Sequence, residues 1–223
     1  MKIGIIVAMD KEFAQLEKVF SGRDDIVLQK CGIGKVNSAI GAVEMIKGEH
    51  PDLIISSGCA GGVDKNLNVM DVVVASECTY HDAYCGDNCE FGQIMGMPAR
   101  YKAPEELVAK ALKLNEQPAE NGIKPHIVSG LTVSGEWFVD SKEKMQAILD
   151  RFPDAKAVDM ESCSIAQTCY KYNVPFVSFR VISDVPLKDT KASMYFDFWD
   201  RVAQDSFEVT KRFVEAVNSP STK

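Results

Sequence analysis

Three carboxylates stand where strands are expected to end. Glu12 follows the apolar run 2–8, Glu161 follows 156–159, and Asp184 follows 175–183. Any one alone reads as a helix N-cap or a solvated first-turn acid. Three at one ligand edge point to chemistry. Separated carboxylates are what hydrolysis of a glycosidic bond uses. One is protonated and assists the leaving group; another is ionised and activates water. Opposite roles require different surroundings. Arg180 lies inside an apolar strand, an unusual place for a charge. It predicts an acidic partner, with Glu12 and Asp184 as the candidates.

Two glycine clusters lie beside these acids. Gly32-Ile33-Gly34 follows a strand and opens a helix. It is part of a dinucleotide fingerprint without the third glycine, and it also reads as a tight turn. Residues 58–62 (GCAGG) follow a buried strand and would let the backbone approach a ligand closely. Packing alone could also force such a turn. Cys78, His81, Cys85 and Cys89 suggest zinc at first sight. Cys78 and His81 would sit at a strand end, however, where residues three apart face opposite sides. Unpaired thiols are the better reading. No metal is expected.

The elements that must position these groups follow from hydrophobic periodicity. Strands are predicted near 2–8, 26–31, 52–57, 70–77, 126–134, 156–159 and 175–183. Helices are predicted from Asp10, and near 35–47, 104–114, 141–151, 161–172 and 194–217. Segment 84–102 reads as a loop, and 184–193 as another. Alternating strands and helices imply an α/β fold, a single domain over 1–218 with a central mixed, mainly parallel sheet flanked by helices. The tail 219–223 should fray. Ligands of such sheets sit beyond the carboxyl ends of the strands.

The 223 residues are 46% hydrophobic and 26% charged, an ordinary globular balance that excludes disorder. Net charge is −7, which disfavours nucleic-acid polymers and anionic membrane surfaces. A small nucleoside is not excluded. Seven scattered cysteines, an odd number, read as reduced thiols in the cytoplasm. The first apolar run is too short for a signal segment, and no stretch is long enough to span a membrane.

Taken in order, the motifs resemble those of the methylthioadenosine/S-adenosylhomocysteine nucleosidases, within the nucleoside phosphorylase family. They are 3–12 (IGIIVAMDKE), 32–37 (GIGKVN), 52–62 (DLIISSGCAGG), 80–83 (YHDA), 133–138 (VSGEWF), 158–161 (VDME), 173–176 (NVPF) and 180–184 (RVISD). The resemblance covers nearly the whole chain. It implies the nucleoside phosphorylase-like fold and a set of roles. Asp184 would protonate N7 of adenine, with Ser183 orienting it. Glu12 would hold and activate water, helped by Arg180. Glu161 would bind the ribose hydroxyls, with Met160 packed on the sugar. Phe138 would stack on adenine, and the backbone of Val139 would read its edge. Met9, Cys59, Ala60, Gly61 and Asp159 would line the pocket, and Phe196 would cap it.

The resemblance implies no cofactor. It implies a homodimer whose interface completes the pocket for the 5'-substituent, with 91–98 as a candidate contributor. An ionised Glu12 suits water better than phosphate, which favours hydrolysis over phosphorolysis. Several features depart from the family pattern. Cys59 replaces a serine, Asp159 shortens one acid of V-E-M-E, the region 21–30 is abbreviated, and 185–198 differs. Three alternative readings remain: a phosphorylase holding phosphate on the 58–62 backbone, a dinucleotide-binding module built on Gly32–Gly34, and a redox sensor built on Cys85 and Cys89.

Overall fold

Every side chain of Ile3–Val7 is apolar or glycine and buried, which makes this strand, β1, an interior strand. The structure, a computed structural model, describes residues 1–118, 124–188 and 207–219. After β1 come α1 (Asp10–Val19), β2 (Ile26–Lys30), α2 (Lys35–Glu49), β3 (Leu53–Gly62) and β4 (Val72–Tyr80). Then follow β5 (Tyr101–Lys102), α3 (Glu105–Lys113), β6 (Ile127–Ser134), α4 (Lys142–Leu149) and β7 (Ala155–Asp159). The last are α5 (Ser162–Tyr172), β8 (Phe176–Asp184) and α6 (Glu208–Asn218). No helix among the described residues is long and apolar enough to cross a membrane.

The sheet is mixed and mainly parallel. β1 pairs in parallel with β2 and β3, β3 with β8, β4 with β6, and β6 with β7. The antiparallel pairs are β3–β7, β4–β5 and β4–β8. Thus β3, β8, β4, β6 and β7 close into a ring, and β1 and β2 extend it as a wing. Ala60, Val73, Ala157 and Ile182, from four ring strands, pack together as the interior of a small barrel requires. Periodicity predicts the strands but not the closure, because closure depends on pairing between strands distant in sequence.

Helices cover the outside in two groups. Leu16 of α1, Ala111 of α3 and Phe213 of α6 pack against Ile5, Leu53 and Phe179. On the other face, Met45 of α2 and Ile165 of α5 pack against Ile6 and Ile54. Gly4 leaves the space that Met45 fills.

Three expectations need correction. The strand predicted over 52–57 does not stop before a glycine loop; β3 continues through Gly62. The glycines are an irregularity inside the strand. Gly58 has φ 126°, and the register against β8 shifts between Ala60 and Gly61. The segment 84–102 ends in a short strand, β5, paired with β4. Of the helix predicted over 194–217, the described part is α6; residues 189–206, and with them Phe196, lie outside the described residues, as does the tail 220–223. The abbreviated region 21–30 holds one edge strand, β2, parallel to β1.

Candidate active site

Glu12 is the third residue of α1, where a glutamate can reach back to the N–H groups that a helix start leaves unpaired. Its Oε2 accepts from Ala8 N–H and Met9 N–H, both at 3.0 Å. Its Oε1 accepts from Cys59 N–H at 2.9 Å. Glu12 is thereby stitched between the end of β1 and the irregular part of β3. Burial pushes its pKa up, while the Arg180 charge and the three N–H donors oppose that shift. A Cβ on Gly58 would overlap Glu12 Oε1 and come within 2.8 Å of Arg180 Nη1. Only glycine fits at that point, at that φ.

Arg180 is central in β8 and 1% exposed. Its closest acid is neither candidate named from the sequence. Nε pairs with Asp159 Oδ2 at 2.9 Å, and Nη2 lies 3.6 Å from Glu161 Oε2. Nε also donates to Ser162 Oγ at 3.2 Å, Nη2 to Ser56 Oγ at 2.7 Å, and Nη1 to Ser57 O at 2.9 Å. Glu12 acts on it through space. Asp159 ends β7, three residues before α5, and its Oδ1 accepts from Ser134 Oγ at 2.5 Å and from Ser162 N–H at 3.2 Å. Its carboxylate is thus committed to Arg180, to the serines and to the helix start. Two residues on, Glu161 Oε1 accepts from Gly34 N–H at 3.0 Å. Burial raises the Glu161 pKa to about 7, Arg180 opposing. The Gly32–Gly34 turn therefore serves a carboxylate of the same chain.

Asp184 closes β8 on the opposite side. Its Oδ1 accepts from Ser183 Oγ at 2.7 Å, and Ser183 Oγ also approaches Ala60 O at 3.3 Å. Burial raises the Asp184 pKa, against the Ser183 hydrogen bond. A carboxyl group so placed can carry a proton where an exposed one would not. The Cys59 thiol is buried, and burial pushes its pKa far up, so it is neutral.

These groups line one cavity. Met9, Glu12, Cys59, Ala60, Gly61, Phe138, Val139, Asp159, Met160, Glu161, Ser183 and Asp184 all face it. Of the residues named from the sequence, Arg180 is behind the wall, and Phe196 lies outside the described residues. Ala8, Ile33, Trp137 and Val158 also line the cavity, and sequence reasoning does not single them out. Two of them carry a signal. Ile33 is an apolar side chain between two glycines, and Trp137 stands next to Phe138. Among the described residues, the lining includes acids but no lysine or arginine. Among the described residues, no group of three or more His, Cys, Asp or Glu is arranged to hold a metal ion.

A ringed mixed sheet, with acids from β1–α1, β7–α5 and β8 around one cavity, matches a known family. The sequence profile of the phosphorylase superfamily matches residues 2–217, and the chain belongs to that superfamily. It is 38% identical over 234 aligned residues to the 5'-methylthioadenosine/S-adenosylhomocysteine nucleosidase of Staphylococcus carnosus (strain TM300), covering 96% of this chain and 100% of the relative. Among solved structures, the nucleosidase of Colwellia psychrerythraea 34H in complex with adenine superposes with TM-score 0.88 at 32% identity, covering 97% of this chain and 95% of that one. The Neisseria meningitidis nucleosidase in complex with methylthio-immucillin-A gives TM-score 0.86 at 32% identity, covering 96% and 99%. Within the superfamily, the chain belongs with the 5'-methylthioadenosine/S-adenosylhomocysteine nucleosidases.

Proposed function

We propose that this protein hydrolyses the N-glycosidic bond of 5'-methylthioadenosine and S-adenosylhomocysteine. The products are adenine with 5-methylthioribose or S-ribosylhomocysteine. The observation that carries this reading is the environment of two acids across one cavity. Burial raises the pKa of both, but at Glu12 the Arg180 charge and three N–H donors oppose it, whereas at Asp184 a single serine hydroxyl does. The similar Colwellia and Neisseria nucleosidases, solved with adenine and with methylthio-immucillin-A, support the ligand class.

In this reading Asp184 gives its proton to N7 of adenine as the bond from N9 to the anomeric carbon breaks. The bonding pair leaves with the base. Glu12 takes a proton from water as the water oxygen bonds to the anomeric carbon. The acid and base roles thus fall to groups in different surroundings. Glu161 accepts from the ribose hydroxyls, and Met160 packs beneath the sugar. Phe138 stacks on the base, and the Val139 backbone meets its edge. Asp159 serves by fixing Arg180, and Met9, Cys59, Ala60 and Gly61 shape the sugar side.

Phosphorolysis is the second reading. The cavity lining speaks against it, since among the described residues four acids and no lysine or arginine face the space that phosphate would need. A cytoplasmic homodimer acting in methionine salvage completes the proposal. Exposed Ile33 at the cavity and exposed Val36 and Ile40 on α2 support the dimer, and seven free cysteines support the compartment.

The test is adenine release from 5'-methylthioadenosine in phosphate-free buffer, followed by chromatography. Release without phosphate is expected. Release only after phosphate is added overturns hydrolysis in favour of phosphorolysis.

A further inference from the structure

The start of α2 makes two bonds that lie side by side and serve different walls of the cavity. Gly34 N–H goes to Glu161 Oε1, and the next N–H, of Lys35, goes to Glu136 Oε1 at 2.8 Å. The Lys35 side chain then reaches Asp82, past the end of β4. Its Nζ donates to Oδ1 and Oδ2, both at 2.9 Å. Asp82 Oδ2 in turn accepts from Glu136 N–H at 2.8 Å. The bonds form a closed circuit. The Lys35 backbone holds the Glu136 side chain, and the Lys35 side chain holds the Glu136 backbone through Asp82.

Glu136 belongs to residues 135–139, which carry Trp137 and Phe138 to the cavity and lie in neither a strand nor a helix. This stretch is also packed closely from below. A Cβ on Gly135 would overlap the His81 imidazole and lie 2.8 Å from Asp82 Cγ. His81 is 2% exposed and meets the Trp137 ring edge-on at 5.5 Å. The Asp82 side chain is 9% exposed and the Lys35 side chain 28%, so the ion pair is partly shielded from water, and its two bonds orient it.

We propose that Lys35 is a positioning residue. Acting through Asp82 and Glu136, it fixes the distance between the wall that carries Phe138 and the wall that carries Glu161. It touches no ligand itself. Because the Lys35 N–H follows the Gly34 N–H in the helix start, neither wall moves without the other. The inference rests on Phe138 and Glu161 being ligand contacts, as proposed above.

The test compares Lys35→Met, Lys35→Arg and the double variant Lys35→Met/Asp82→Asn with wild type. The readouts are adenine affinity by calorimetry, KM and kcat for 5'-methylthioadenosine, and thermal unfolding. Lys35→Met is expected to weaken adenine binding and raise KM by roughly tenfold, with kcat within about threefold. Lys35→Arg keeps a cation that can pair with Asp82, and it should restore most of both. A merely structural lysine would lower thermal stability and leave the KM and adenine affinity of the folded protein alone. That result overturns the proposal. If Lys35→Met does not fold, the double variant, which leaves no unpaired charge, decides by the same readouts; failure of both to fold also overturns it. Wild type that binds adenine but does not hydrolyse, with binding still weakened in Lys35→Met, overturns the hydrolase reading and keeps the positioning role. Wild type that neither binds adenine nor releases it overturns both.

Discussion

Glu12, Asp159 and Glu161 at the cavity floor, and Arg180 behind them, are at most 7% exposed, whereas Ile33, Trp137 and Phe138 at the rim are 46–52% exposed. The floor is made of residues in strands and at the helix starts that follow them, each held by buried bonds. The rim is made of turn and loop side chains with much of their apolar surface open. A floor of this kind is preorganised, so its dipoles and charges need no rearrangement when a reaction begins. A rim of open aromatic surface gains by being covered, which is how flat bases are bound. Chemistry and recognition thus fall to differently built parts of one site.

The widest separation between the two should come from the acids. Asp184→Asn and Glu12→Gln are each expected to lower the rate of adenine release about 10²–10⁴-fold. Circular dichroism should stay at the wild-type signal. Near-wild-type rates in both would break the assignment of chemistry to the floor. Next in size is Asp159→Asn. It removes one partner of a buried ion pair and should cost about 3–5 kcal/mol in urea unfolding. A loss below ~1 kcal/mol would show that the serines and Glu161 hold Arg180 unaided.

The third prediction concerns pH. The Glu161 pKa is raised by burial, from 4.5 to about 7. Between those values the folded protein keeps a proton that the unfolded chain has released. Stability from this group is therefore full below the lower value and is lost as pH rises through the window, by at most about 1.4 kcal/mol per pH unit. Glu161→Gln should flatten that slope in a series of urea melts, and an unchanged slope would assign it elsewhere. Smallest is Phe138→Ala at the rim. KM should rise about fivefold through lost stacking, with unfolding free energy within ~0.5 kcal/mol of wild type. A large loss of stability there would erase the contrast between rim and floor.

Much of the site is legible in the sequence because its residues sit immediately beside strongly periodic segments. Glu12, Glu161 and Asp184 stand out because each directly succeeds or ends a buried strand. Arg180 stands out as a charge in an apolar strand, yet its partner does not. Local spacing offers Glu12 and Asp184; the structure gives Asp159, because β7 and β8 come together only through the ring. The glycines 58–62 are conspicuous in the sequence but read as a loop. The close approach at Gly58 is to Glu12 and Arg180, and that at Gly61 and Gly62 is to Val158, Ile182 and Val185, all distant along the chain. Ile33 and Trp137 escape notice because a single apolar residue in a turn looks like any other.

Side-chain periodicity and local spacing are properties of the chain alone, and they specify the alternating elements, the buried β1, the acids near the strand ends and the family pattern. The closed ring, the partners of Arg180 and the circuit from Lys35 to Glu136 emerge with folding. Each depends on groups brought within about 3 Å from remote parts of the chain, and at that range burial and geometry, rather than residue type, set what a charge does.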